Sequence, residues 1–202
     1  MNRKSLGCLF ELLETLLVTA VVFLLLQMFV VQPYQVQQTS MENTLMPDQY
    51  VLVDKLSPNF DDYHRGDIIV FNPPQGWAKD ANGTPFVKRV IGIAGDKIDI
   101  EAGKVYLNGK ILEEPYVFEQ QATDLPGTDT KKSWTIEQNQ LFVMGDHRQA
   151  SQDSRDFGAI TKSSVIGRAW IRYWPIEKFG PIPNKPAPSP SALPSAAASK
   201  TP

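Results

Sequence analysis

The chain has 202 residues, a formal net charge of −2 and one cysteine, Cys8. A chain of this length suits one soluble domain together with a short additional element such as an anchor. The near-neutral charge gives no reason to expect a nucleic-acid partner, and a single cysteine cannot form a disulfide within the chain.

The first element in chain order is a strongly apolar run over 12–31, preceded by a short polar start that contains Arg3 and Lys4. At 1.5 Å per residue, a helix over this run spans about 30 Å, the thickness of a bilayer core. A helix buried in a protein core would normally show a polar face, and this run has little of one. A cleaved signal peptide would end in small residues of the Ala-x-Ala kind, which are missing here. The run therefore predicts an uncleaved transmembrane helix.

The distribution of basic residues predicts the orientation of that helix. Arg3 and Lys4 precede the run, whereas the twenty residues after Val31 contain no Lys or Arg. The positive-inside rule then places 1–11 in the cytoplasm and 32–180 outside, as an extracytoplasmic domain of a single-pass cell-membrane protein. Residues 181–202 are rich in Pro, Ala and Ser, a composition that predicts a disordered tail.

From residue 32 onward, strand patterns recur and helix signals are scarce. Short runs rich in β-branched and aromatic residues predict strands over 50–54, 67–71, 87–93, 97–100, 141–144 and 165–174. Ala102-Gly103 and Asn108-Gly109 separate such runs, and Asn-Gly is a strong hairpin signal. We expect a mainly β, mostly antiparallel domain with long loops over 72–85 and 118–133.

The segment over 38–45, Gln-Thr-Ser-Met-Glu-Asn-Thr-Leu, contains a candidate nucleophile, Ser40. A serine is a weak nucleophile unless a neighbouring base takes its proton. His64 and His147 are the only histidines, and neither stands in a recognisable Ser/His/Asp pattern, although spacing alone does not exclude a triad. The better candidate for the base is Lys88.

Lys88 lies in a predicted strand, where side chains alternate between the two faces. It shares a face with Phe86 and Val90, while Arg89 points to the opposite face. Apolar neighbours desolvate an amine and lower its pKa, and a neutral amine can act as a general base. The plainer alternative, that Lys88 and Arg89 are solvated charges on a strand, stays open at this point.

A third segment, 145–155, reads Gly-Asp-His-Arg-Gln-Ala-Ser-Gln-Asp-Ser-Arg. It follows Ser-Met-Glu-Asn-Thr-Leu over 40–45, Arg-Gly-Asp-Ile-Ile-Val-Phe over 65–71 and Lys-Arg-Val-Ile-Gly over 88–92. This ordered set of motifs resembles the bacterial type I signal peptidases. The matching region covers roughly 32–174, which is most of the chain.

The resemblance implies a mainly β catalytic domain and a membrane-bound serine endopeptidase that removes signal peptides from exported preproteins. By motif position, Ser40 is the nucleophile, Lys88 the general base, and Ser151 a residue that hydrogen-bonds and orients the lysine. The chemistry would pass through an acyl-enzyme, with the backbone N–H of Ser40 in the oxyanion hole and no metal or cofactor. The implied partners are signal peptides with Ala-x-Ala sites and the lipid bilayer, and the oligomeric state is left open.

The same resemblance assigns a set of apolar residues around Ser40 to the walls of shallow pockets for small side chains, typically alanine. These residues are Tyr34, Val36, Met41, Leu45 and Val87. Packing in the core is the alternative role for them. An extended substrate would pair through its backbone with strand edges near 35–38.

The chain departs from the family pattern at several positions. Gln38 stands where some members have a serine that supplies a second oxyanion donor, so the Gln38 amide is the candidate donor here. Asn43 replaces the usual proline, and the turn after Ser40 is expected to lose rigidity. His147, Gln149 and Ala150 replace Asn, Asp and Asn in the last motif.

Charged residues of alternating sign surround Ser151. They are Asp146, Arg148, Asp153 and Arg155. Taken alone they suggest surface salt bridges of little energetic value. The alternative is a scaffold that fixes the Ser151 loop and pairs with Arg89. The acidic residues near His64 have no spacing typical of a metal site, and we predict none.

Two other function classes remain open. A membrane-anchored β binding module could keep these motifs without activity, and the departures at Gln38, Asn43 and His147 favour it. A self-cleaving Ser/Lys regulator would be cytosolic with a DNA-binding domain, which the predicted anchor disfavours.

Overall fold

A computed structural model describes residues 3–77 and 83–183 of the chain. Its first element is helix α1 (Arg3–Phe29), which covers most of the predicted helix but begins earlier and ends earlier. Large apolar side chains between Phe10 and Leu24 are exposed. Within the described ranges, no helix combines the length and apolarity needed to cross a membrane.

The rest of the described chain is mainly β, as the sequence predicts. The strands are β1 (Val31–Gln35), β2 (Tyr50–Asp54), β3 (Ile68–Phe71), β4 (Phe86–Gly92), β5 (Lys97–Glu101), β6 (Lys104–Leu107), β7 (Lys110–Ile111), β8 (Lys131–Thr135), β9 (Gln140–Met144), β10 (Ile160–Thr161), β11 (Val165–Trp174) and β12 (Gly180–Pro181). A short helix, α2 (Ser154–Phe157), lies between β9 and β10. The six strands predicted from the sequence are confirmed as β2, β3, β4, β5, β9 and β11, within one or two residues at each end.

The strands form two sheets in which all neighbours are antiparallel. The larger, eight-stranded sheet has the order β1-β2-β11-β3-β4-β9-β10, with β12 also paired to β11. The smaller sheet has the order β7-β6-β5-β8. Strand β1 is therefore an edge strand, while β4, which carries Lys88, lies inside the larger sheet between β3 and β9.

Three clusters of buried apolar side chains pack against these sheets. One centres on the smaller sheet and Phe142, and another on β3, β9 and Phe71. The third includes Met41 and Leu45, which lie one and five residues after Ser40. Packing of these two side chains in the core ties the Ser40 segment to the body of the domain.

The structure corrects several boundaries predicted from the sequence. The predicted loop over 118–133 ends inside strand β8, and β1 had no strand signal because Pro33 interrupts it. The predicted tail begins too early, since Pro181 pairs with β11 and Ile182 is buried. The remaining tail prediction, for 184–202, lies outside the described residues, as do residues 78–82 of the predicted loop over 72–85.

Candidate active site

Ser40 lies in a single turn of 3-10 helix, Thr39–Met41, that follows edge strand β1. The turn is held from both ends, because Val36 N–H donates to Gln49 O at 2.8 Å and Leu45 N–H donates to Met41 O at 2.8 Å. Backbone N–H groups in the first turn of a helix have no acceptor within that helix. The N–H of Ser40 is one of these groups, so it can donate to a ligand.

Lys88 comes to Ser40 from the middle of β4, where it pairs with Ile69 of β3. The Lys88 Nζ–Ser40 Oγ distance is 2.7 Å, and Nζ also lies 3.1 Å from Val87 O. The Phe86 ring lies on the same side, with its centroid 4.9 Å from Nζ. Strand alternation thus places the amine beside Phe86, as predicted from the sequence.

The surroundings of Lys88 favour its neutral form. Its side chain is 1% exposed, which rules out a solvated charge on a strand. Burial lowers the pKa of Lys88 from 10.5 to about 8, and the negative charges of Asp153 and Asp146 limit that lowering. A substantial fraction of the amine is therefore neutral near pH 8.

The predicted hydrogen bond between Ser151 and Lys88 is not formed. The Ser151 hydroxyl donates instead to Asp153 Oδ2 at 2.7 Å, and among described residues no hydrogen bond joins Ser151 to Lys88. A buried carboxylate such as Asp153 is a strong acceptor for this hydroxyl proton. Ser151 still lies beside the dyad, since a Cβ added to Gly145 would contact both Ser151 and the carbonyl of Ser40.

Asp153 organises the loop that carries Ser151. Burial alone would raise the pKa of the Asp153 carboxyl, but hydrogen bonds and charge from Arg155 hold it below its usual value. Gly145 N–H and Ser151 contribute to the same lowering. Arg155 in turn donates to Arg148 O at 2.7 Å and Asp124 O at 2.9 Å. These bonds fix the loop.

On the opposite face of β4, Arg89 forms a buried two-bond ion pair with Asp146. Its Nε and Nη2 donate to the two carboxylate oxygens at 2.9 and 2.7 Å. The same carboxylate accepts from Thr44 Oγ1 at 2.5 Å, four residues after Ser40. The Arg89 guanidinium lies 4.2 Å from the Tyr116 ring centroid. This network links the Lys88 strand to the Ser40 segment.

The remaining member of the predicted charge cluster, Arg148, pairs outside the cluster. Its guanidinium donates to both carboxylate oxygens of Glu114, at 3.0 and 2.6 Å, and Nε donates to Gly145 O at 3.0 Å. Glu114 and Tyr116 were not predicted as part of the site because they stand in a segment without a motif. The cluster is buried, so the reading as surface salt bridges is wrong.

The predicted pocket residues separate into two groups. Val36, Met41 and Val87 line a small cavity of about 30 Å³ beside Ser40. Leu45 is fully buried and Tyr34 packs against the same core cluster, and neither lines this cavity. These two residues belong to the core behind the cavity, and their role as pocket walls stays a prediction.

A larger groove of about 630 Å³ adjoins the same site. Its walls include Gln37, Gln38, Phe86, Gln149 and Ser151. Gln38 is exposed and lines both cavities, which leaves its amide free to face a bound peptide. No hydrogen bond from the Gln38 side chain occurs among the described residues, so its role as an oxyanion donor stays a prediction.

Asn43 stabilises the turn after Ser40 differently from a proline. Its φ of 85° is open to asparagine, whereas proline is confined near −65°. Its amide also donates to Tyr116 O at 3.0 Å. The turn is thus fixed by a side-chain hydrogen bond, which corrects the expected loss of rigidity.

Metal ligands were not predicted, and the described ranges hold no group of three His, Cys, Asp or Glu side chains arranged for a metal ion. That the reaction needs no cofactor stays a prediction.

Comparison with known families gives a match over most of the chain. The model of the family described as signal peptidase, peptidase S26, matches residues 9–174, which include Ser40, Lys88 and Ser151. The chain belongs to the signal peptidase family. Membership makes it a serine peptidase and therefore a hydrolase, in a family that cleaves signal peptides.

Named members of the family are similar over most of their length. A probable signal peptidase I-1 of Synechocystis is 35% identical, over 85% of this chain and 86% of that protein. The signal peptidase I of Leptolyngbya laminosa is 33% identical, over 89% and 86%. The signal peptidase IB of Staphylococcus aureus is 32% identical, over 84% and 93%. A crystal structure of a signal peptidase I from Enterococcus faecalis is 28% identical, with a TM-score of 0.43 over 54% of this chain and 97% of that one.

Proposed function

We propose that the chain removes signal peptides from exported preproteins through a Ser40–Lys88 dyad and an acyl-enzyme. One observation carries the proposal, namely the 2.7 Å distance between Ser40 Oγ and Lys88 Nζ. Burial lowers the pKa of Lys88 to about 8, which supports the role of the amine as a general base.

In the first step, Ser40 Oγ attacks the carbonyl carbon of the scissile peptide bond while its proton passes to the neutral amine of Lys88. The resulting oxyanion accepts a hydrogen bond from the Ser40 N–H and a second from the Gln38 amide. When the C–N bond breaks, Lys88 returns the proton to the leaving amine and the signal peptide stays bound to Ser40 as an ester.

In the second step, a water molecule attacks the ester carbonyl. Lys88 accepts a proton from this water and then gives it to Ser40 Oγ as the C–O bond of the ester breaks. The signal peptide leaves with a new carboxylate, and the dyad returns to its starting state. Lys88 thus acts once as base and once as acid in each half of the reaction.

The cavities support a preference for small side chains at the cleavage site. The cavity lined by Val36, Met41 and Val87 has a volume of about 30 Å³, which suits a side chain the size of alanine. Edge strand β1 and the adjoining residues to Gln38 offer backbone groups to an extended peptide. A preprotein would then bind between 35–38 and 84–87, with its scissile bond at Ser40.

Cleavage of a purified preprotein with an Ala-x-Ala site, by the full chain in detergent, tests this function. Because only neutral Lys88 accepts a proton, kcat/KM should rise through a pKa of about 8 and then level off. Ser40→Ala should be inactive, and Ser163→Ala, which alters an exposed serine, should match the wild type.

Labelling provides a second readout of the same test. A mechanism-based acylating inhibitor should modify Ser40, as identified by peptide mass spectrometry. Cleavage that persists in Ser40→Ala would exclude the dyad. A folded wild type that neither cleaves nor becomes acylated would instead favour the binding module.

We place α1 in the cell membrane with the β domain on its outer side. The exposed apolar side chains between Phe10 and Leu24 support the membrane location, and Arg3 and Lys4 support the orientation. Exposed Trp170 and Trp174 on β11 would rest at the lipid interface.

The single cysteine offers a direct test of this topology. In intact spheroplasts, a membrane-impermeant maleimide should leave Cys8 unlabelled until the membrane is permeabilised. In Cys8→Ser/Ser163→Cys, the new thiol on the β domain should be labelled without permeabilisation. The reverse labelling pattern would place the catalytic domain in the cytoplasm and overturn the proposed topology.

A further inference from the structure

His147 contacts the Ser40 segment through both its backbone and its side chain. Its backbone N–H donates to Ser40 O at 3.0 Å. Its ring nitrogen Nδ1 lies 2.7 Å from Glu42 Oε2, two residues beyond the nucleophile. No role in the mechanism above uses this histidine or this glutamate.

The His147 ring is also fixed from its other side. It stacks on Phe118, with ring centroids 4.5 Å apart and an interplanar angle of 28°. Phe118 is itself held, because its N–H donates to Asp146 O at 2.9 Å. The imidazole therefore has little freedom to turn away from Glu42.

The neighbouring charged side chains do not compete with His147 or Glu42 for this contact, because they have other partners. Asp146 is occupied by Arg89, and Arg148 by Glu114. The His147 and Glu42 side chains are only 18% and 20% exposed, so water weakens their contact less than it would at the surface. Nδ1–H donates to the carboxylate whether the ring is neutral or charged.

The two contacts fix the Ser40 residue on its C-terminal side. The bond to Ser40 O sets the orientation of the peptide unit that follows the nucleophile, and the bond to Glu42 holds the next turn of chain. Lys88 approaches Ser40 from strand β4, so the 2.7 Å dyad distance depends on the placement of this turn. Small displacements of reacting groups reduce rates steeply.

We propose that His147 and Glu42 form a positioning pair that holds Ser40 against Lys88, an inference that rests on the proposed function. Neither residue touches the reacting atoms, and both act through the backbone of the Ser40 turn. Loss of either side-chain contact should lower kcat, because acylation slows, without weakening the binding of the preprotein.

Preprotein cleavage by the full chain in detergent tests the pair with His147→Leu, Glu42→Ala and the double variant. Each single change should lower kcat about tenfold with KM within about twofold. The double variant should lose no more than either single one, because both remove the same contact. His147→Asn keeps an amide N–H near the position of Nδ1 and should restore most of kcat. His64→Leu, at the exposed histidine, is the matched control and should match the wild type.

Several results would overturn the proposal. These are additive losses in the double variant, a rise in KM at constant kcat, or a fall in kcat that only follows a fall in the folded fraction measured by circular dichroism. Failure of the pair and failure of the function are distinguishable. If the wild type cleaves and His147→Leu keeps its kcat, only the proposed positioning pair is wrong. A wild type without activity would contradict both the pair and the proposed function.

Discussion

Lys88→Met is expected to abolish preprotein cleavage and to stabilise the folded protein at pH 6. Loss of a general base lowers the rate by about 10²–10⁴-fold. The stabilisation follows because methionine fills similar space in the buried site without an ammonium group that must be desolvated.

The pH dependence of this stabilisation has a definite sign. Burial lowers the pKa of Lys88 from 10.5 to about 8 in the folded state. Below pH 8, Lys88 is protonated in both the folded and the unfolded chain. Burying its ammonium group then lowers the free energy of unfolding by about 3 kcal/mol. Between the two pKa values the unfolded chain binds more protons, so the wild type gains stability as pH rises.

Thermal unfolding in detergent across this pH range measures the effect. The melting temperature of Lys88→Met should exceed that of the wild type by about 5 °C or more at pH 6. The difference should shrink toward pH 10. Lys104→Met, at an exposed lysine, is the control and should show no such trend. A constant difference across the range, or cleavage retained by Lys88→Met, would contradict the assignment of Lys88 as a buried base.

Gly145→Ala is expected to lower kcat about 10²-fold by displacing the nucleophile. A methyl group at Gly145 would lie 2.5 Å from Ser40 O and 2.6 Å from Ser151 Cβ, distances at which one side must move. Neither neighbour can move freely, since Ser40 O accepts a hydrogen bond from His147 N–H and the Ser151 hydroxyl donates one to Asp153.

Gly167→Ala is the matched control for this prediction. Its added methyl would contact the backbone oxygen of Asp54 in β2, away from the dyad. Both variants should lose stability, by about 1–3 kcal/mol, but only Gly145→Ala should lose turnover per folded molecule. Active-site titration with an acylating inhibitor, combined with kcat, separates the two effects. Equal turnover in both folded variants would show that Gly145 matters only for packing.

Much of the fold follows from local sequence patterns, and the exceptions have physical causes. Strands such as β3 are recognised because their runs are apolar or β-branched. Strand β1 contains Pro33, which an edge strand tolerates because only one side of it is paired. Strand β8, Lys-Lys-Ser-Trp-Thr, alternates exposed and half-buried positions and so looks polar throughout.

At the site, motif positions identified the residues but not their contacts. The dyad distance agrees with the roles expected for Ser40 and Lys88, which stay proposals until activity is measured. Ser151 forms a hydrogen bond to Asp153 and none to Lys88, and which neighbour a hydroxyl contacts depends on geometry that residue type alone does not reveal. The His147–Glu42 pair joins residues more than one hundred positions apart, and no periodic signal marks such a contact.

The short connection between α1 and Ser40 has a consequence for the proposed membrane location. Helix α1 ends at Phe29, and eleven residues lead from there to Ser40. Even fully extended, this stretch covers no more than about 40 Å. The covalent chain therefore sets a maximum distance between Ser40 and the end of α1. With α1 in the membrane, as proposed above, a preprotein whose cleavage site lies farther from the end of α1 would have to bend back toward it. Distance from the membrane would then be a criterion of substrate choice in addition to the side chains at the cleavage site.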